Sequence, residues 1–120
     1  MMQTWFAQSN YNPGGGGGFS PFEQGVVLIP PYATKVVDSF AQGTSKITTY
    51  RLHMDNTIDT ASSTVDLLET TQGVRHNAYA ELGKSSIYRT LSDGSGGLTR
   101  LSVENLTDMQ LEVTYLKTYV

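Results

Sequence analysis

A chain of 120 residues and 13.1 kDa holds one domain's worth of core and little for a second. Eight Lys and Arg stand against eleven Asp and Glu, a formal net charge of −3 with a pI near 5.2. The cations are scattered, so a clustered phosphate grip is excluded and no nucleic-acid partner is expected. With no cysteine there is neither a disulfide framework nor a thiolate metal site. The N-terminus lacks a cationic and apolar leader, and no window approaches the ~18 apolar residues of a spanning helix, so neither export by a signal nor a membrane partner is expected. Only 16% of residues are charged while Gly (12) and Tyr (7) are plentiful, a composition suited to β-structure that packs against neighbours.

Residues 1–25 differ from the rest and form a glycine-rich arm. Gly14 to Gly18 is an unbroken run of five glycines between Pro13 and Pro21, which by itself holds neither helix nor strand. Yet Trp5, Phe6, Tyr11, Phe19 and Phe22 place five aromatics within the first 22 residues, where a linker is normally depleted in them. A glycine hinge with aromatic anchors reads as a docking arm, and these five rings are the candidate interface residues.

From residue 26 to 120 the chain reads as one β-domain. Val26 to Ile29 is an apolar run stopped by Pro30 and Pro31. Thr34 to Phe40 is rich in β-branched residues. Ser45 to Asp55 sets Tyr50, Leu52 and Met54 on one face against Arg51 and His53 on the other. A loop from Asp55 through Ser62 is expected next. Ser63 to Thr71 follows, with Val65 and Leu67 on one face and Leu68 on the other; the stretch from Ser62 is the best helix candidate, but its Ser, Thr and Val content favours a strand. Val74 to Leu82 and Ser86 to Leu91 are further strands, and Asp93 to Gly97 is expected to be a loop. Leu98 to Asn105 and Leu111 to Thr118 alternate most clearly, with Leu101, Val103, Leu111, Val113 and Tyr115 inward, and are expected to pair as a C-terminal hairpin across the turn at 105–110. About eight short strands without a helical stripe predict an all-β antiparallel sandwich, jelly-roll-like or Greek-key in order. Half of the strand tyrosines are expected in the core.

No constellation for chemistry emerges. His53 and His76 lie 23 residues apart on different strands without metal-ligand spacing. Ser95 lacks the Gly-x-Ser-x-Gly context of a nucleophile, and the five glycines are followed by Phe19-Ser20-Pro21 where a phosphate loop needs Lys-Ser/Thr. The acids are scattered over strand faces with no paired cleft. Asn105-Leu106-Thr107 fits a β-turn more simply than a glycosylation acceptor. The expectation is a non-enzymatic protein with no catalytic residue, metal or cofactor.

The order of the runs Val36-Val37-Asp38-Ser39-Phe40, Lys46 to Met54, Leu67-Leu68-Glu69, Ala78 to Gly83 and Gly96 to Val103, closed by the hydrophobic C-terminal strand, resembles a small β-domain of virion structural proteins of tailed bacteriophages. The resemblance spans Ala33 to Val120; the glycine-rich arm has no counterpart in it. It implies a virion component made in the host cytoplasm. A capsid decoration or cement protein is the first expectation: a small domain, expected as a homotrimer, binding the major capsid protein or other virion subunits at the capsid surface through its arm. The alternative is a receptor- or carbohydrate-binding module at a tail fibre or tail tip.

Overall fold

The alternating runs become eight antiparallel strands. The computed structural model describes residues 22–120. In chain order the strands of the described residues are β1 (Phe22–Ile29), β2 (Thr34–Ala41), β3 (Ile47–Asp55), β4 (Thr60–Thr70), β5 (Gly73–Gly83), β6 (Tyr88–Ser95), β7 (Leu98–Asn105) and β8 (Leu111–Tyr119), with a 3-10 turn at Ser85–Ile87. They form a five-stranded sheet in the order β1-β8-β3-β4-β5 and a three-stranded sheet in the order β2-β7-β6. The all-β antiparallel sandwich expected from the alternation is therefore the fold. β1 beside β8 and β2 beside β7 is the outer wrap of a jelly roll, while β3, β4 and β5 run as a meander within one sheet.

Both sheets send their inward phase into one core. Ile29, Tyr50, Leu52, Met54, Val65, Leu67, Leu111 and Val113 of the larger sheet face Val37, Leu101 and Val103 of the smaller, and all are buried. Tyr50, Tyr88 and Tyr115 are buried, while Tyr32 and Tyr79 are exposed, so half the strand tyrosines do serve the core.

Three expectations need correction. β7 and β8 are not a hairpin: β7 pairs with β2 and β6, β8 with β1 and β3, and the two lie in opposite sheets. Their inward residues meet across the core instead of along one face, because alternation tells which face is apolar and not which strand lies alongside. The supposed loop at Asp93–Gly97 is mostly strand; Ser95 pairs with Leu98, leaving only Gly96 and Gly97, at φ +62° and +80°, as a two-residue hairpin turn. The loop after Asp55 is also shorter than expected, since β4 starts at Thr60. Asn56 holds it closed by accepting the N–H groups of Ile58 and Asp59.

Two of the four crossings between sheets, Pro30–Ala33 and Leu106–Gln110, are tied together by one side chain. Asn105 is fully buried, and its Nδ2 donates to the carbonyls of Ile29 (3.1 Å), Pro30 (3.0 Å) and Met109 (2.7 Å). Its Oδ1 accepts from the N–H and the hydroxyl of Thr107. Tyr32 donates its N–H to the Thr107 carbonyl, which helps to hold Tyr32 at φ +57°. A buried amide thus satisfies backbone groups that leave the ladder where the chain changes sheet.

Candidate functional site

Among the described residues, two features stand out beyond the apolar core. One is a charged cluster between the sheets; the other is a groove on the outer face of the larger sheet.

The cluster begins with a bulge. In β2, Val36 pairs with Ser102 and Asp38 with Leu101, so Val37 is an extra residue against β7. The bulge resets the alternation, and Asp38 and Phe40 follow the buried Val37 toward the interior. From the other side, the inward phase of β8 runs Leu111, Val113, Tyr115 and then Lys117, whose side chain is only 7% exposed. Lys117 Nζ lies 3.0 Å from Asp38 Oδ2, into which the Tyr50 hydroxyl also donates at 2.6 Å. The Tyr115 hydroxyl donates to Asp38 Oδ1 at 3.2 Å. Glu23 of β1 reaches the same ammonium at 3.4 Å, and the Phe40 ring lies 4.6 Å from it.

The two tyrosines meet edge to face, with centroids 5.7 Å apart. Gly25, opposite Tyr115 in the β1–β8 ladder, leaves room for that ring; a Cβ there would come within 2.7 Å of it. Burial, reinforced by the adjacent Asp38 carboxylate, pushes the Tyr115 phenol up to about 12. The same two causes, with burial the larger, raise Tyr50 further. Asp38 thus receives two phenols and one ammonium, and all three come from the opposite sheet. Its chemistry is that of a clamp between layers. A recess of about 280 Å³ opens beside it, lined by Phe40, Tyr119, Ser45 and Thr48 as well as the charged groups.

The second feature is a groove of about 350 Å³ across β8, β3, β4 and β5. Cross-strand register sets its rows. Arg51 lies between Leu116 and Thr64, and His53 lies between Thr114 and Ser62, with Leu82 opposite Ser62 on β5. A bulge bends β5 there: Ser62 pairs with Leu82 and Thr64 with Tyr79, and Ala80 within the bulge sits at φ +55°.

Of the arm residues, Trp5, Phe6, Tyr11 and Phe19 lie outside the described residues. Phe22 opens β1, paired with Thr118, so the larger sheet begins at Phe22. His53 and His76 do not meet. His53 faces outward opposite Ser62, whereas His76 pairs with the inward-pointing Leu67 and bonds Ser92 Oγ through Nδ1 at 2.7 Å. Sequence reasoning missed the clamp. Lys117 was findable, because it continues the inward phase of β8, but Asp38 was not, because no residue type in Val36 to Ser39 announces a bulge.

No family model matches the sequence, and no curated protein matches it. Solved structures do resemble its fold. The Acinetobacter phage vB_ApiP_P1 tailspike protein aligns over 82% of this chain with a TM-score of 0.58 at 7% identity. The Acinetobacter baumannii phage AM24 tailspike protein also aligns over 82%, with a TM-score of 0.47 at 10% identity. The chain spans only 21% and 26% of those two proteins, respectively. At such identity the likeness to the vB_ApiP_P1 tailspike is one of fold: this chain shares its β-sandwich with a segment of that protein.

Proposed function

We propose that this chain is a non-enzymatic structural module of a tailed-bacteriophage virion, carried at the tail in a spike or fibre. The observation that carries this reading is the likeness of nearly the whole sandwich to part of the vB_ApiP_P1 tailspike. It favours the tail over the capsid surface, and neighbouring tail subunits over the major capsid protein as partners. The clamp supports a structural role, since its carboxylate is committed to holding the layers together. Self-association, with a trimer as the natural closed form, is supported by the half-exposed Val26 and Leu28 on the edge strand β1.

Antibody labelling of intact particles, imaged by electron microscopy, tests the assignment. A few copies at the tail are expected. Label spread over the head in hundreds of copies would restore the decoration reading, and its absence from particles would overturn both.

A further inference from the structure

We propose that Lys117 and Asp38 are the partners of an intramolecular isopeptide bond, which the folded chain forms on itself with Glu23 as the proton carrier. Lys35, Lys46 and Lys84 are exposed, whereas the Lys117 side chain is only 7% exposed and meets a carboxylate exposed to 15%. Burying such a pair costs more desolvation than a surface pair and gains little over apolar packing. An amide between the same two groups removes both charges and keeps the link between the sheets.

The register delivers the parts. Glu23, Lys117 and Tyr50 stand in one row across β1, β8 and β3, and Tyr115 lies on the same face of β8. Lys117 Nζ is 3.0 Å from Asp38 Oδ2, with the carboxyl carbon one bond beyond. Groups held in near-attack range, about 3–3.5 Å apart, react as if at very high concentration. Glu23 Oε1 is 3.4 Å from the same nitrogen. The Tyr115 hydroxyl donates to Oδ1 at 3.2 Å and the Tyr50 hydroxyl to Oδ2 at 2.6 Å, and burial keeps both phenols protonated. Among the described residues no other carboxylate or amine lines the recess.

The steps balance. One proton passes from the ammonium to Asp38 Oδ2, leaving an amine and a carboxylic acid, and a site with little water favours the loss of two charges. The amine lone pair bonds to the carboxyl carbon, and the carbonyl electrons move to Oδ1, where the Tyr115 hydroxyl meets the developing charge. Glu23 takes a proton from the nitrogen, now cationic, and hands it to Oδ2, which that nitrogen adjoins. The carbon–Oδ2 bond then breaks, and Oδ2 leaves as water into the recess of about 280 Å³ while Oδ1 regains its double bond. An ammonium and a carboxylate become an amide and one water, with Glu23 restored and no oxidant needed. It is a single turnover on the chain itself. The ion pair is the reactant, and energies expected of it belong to chains of full mass.

The inference does not depend on where the virion carries the chain, so its failure would leave the tail reading standing. The test is intact-mass spectrometry of the full chain, fresh and after prolonged incubation at neutral pH, followed by a trypsin digest. The expected mass is one water below that of the sequence, with Val36–Lys46 joined to Leu101–Val120 and no cut after Lys117. Asp93-Gly94 also loses water when it closes to a cyclic imide, so the branched peptide decides. Full mass throughout, or lost water mapped to Asp93, would overturn the proposal. Lys117→Arg keeps a cation beside Asp38, but a guanidinium stays charged and is not acylated, so this variant should fold and hold full mass. The same water lost from folded Lys117→Arg would also overturn it. Glu23→Gln, at a half-exposed edge position, should fold and form the bond about a hundredfold more slowly or worse; bond formation as fast as in the parent would overturn the role of Glu23.

Discussion

Replacing Lys117 with Met keeps the buried stem and removes the ammonium that Asp38 Oδ2 meets at 3.0 Å. Losing one partner of a buried ion pair costs about 3–5 kcal/mol, because the other charge stays desolvated. Two features reduce that here. The Asp38 side chain is 15% exposed, so some water reaches it, and the Tyr50 and Tyr115 hydroxyls still donate to it. About 2–3 kcal/mol is the expectation for Lys117→Met. Asp38→Asn should cost a similar ~2–3 kcal/mol, since it leaves Lys117 with Glu23 at 3.4 Å and the faces of Phe40 and Tyr119. For a domain of this size each kcal/mol moves the melting midpoint by about 4–8 °C, so either single change should lower it by roughly 10–20 °C. The double variant removes both charges and should fall only ~1–2 kcal/mol below the parent, since a neutral pair of similar shape is cheap to bury. A double-mutant cycle by urea denaturation reads the difference as a coupling of about 2 kcal/mol or more. If the two single losses add within ~0.5 kcal/mol in the double variant, the pair is not coupled and the clamp is the wrong description.

Three other outcomes follow from the same geometry. The Tyr115 phenol titrates near 12 in the folded chain against the ordinary 10, so folded protein keeps its proton where unfolded protein loses it. Stability from this group is full below pH 10 and declines as pH rises from 10 through 12; urea midpoints at about pH 9 and about pH 11.5 should show the loss, and Tyr115→Phe should shrink it. Asn105→Ala strips the Nδ2 donor from three carbonyls and the Oδ1 acceptor from Thr107, so a loss of about 3 kcal/mol or more is expected, with faster hydrogen exchange at the Tyr32 and Asn105 amides that bridge the crossings. Val103→Asp places a carboxylate at a fully buried position of β7 and should cost several kcal/mol; an unmoved melting midpoint would contradict the inward phase of that strand.

The clamp and the Asn105 tie both use polar groups to join the two sheets. The clamp spans the layers, with β2 on one side and β3 and β8 on the other. The tie sits where the chain leaves one sheet for the other. Buried polar groups of this kind work only when each lone pair and proton is used, and at Asn105 every one of the contacts is 3.1 Å or shorter.

The strand phases were legible in the residues alone. Tyr50, Leu52 and Met54 against Arg51 and His53, or Leu101 and Val103 against Arg100 and Ser102, follow from a side-chain period of two, which the pleat imposes whatever lies beside the strand. That period also sufficed for the all-β class, and it placed Arg51 and His53 on the outer face where the groove lies. Pairing was not legible, and the supposed hairpin of β7 and β8 shows why. An inward row satisfies a partner in its own sheet or one across the core equally well, and only closure of the whole sandwich chooses between them. Asp38 lay deeper still. Nothing local turns a carboxylate inward; it does so because one extra residue at Val37 shifts the phase of β2, and because Tyr50, Tyr115 and Lys117 arrive from two strands of the other sheet to receive it. A charge is tolerated in a core only after its partners are in place, and that condition belongs to the tertiary structure.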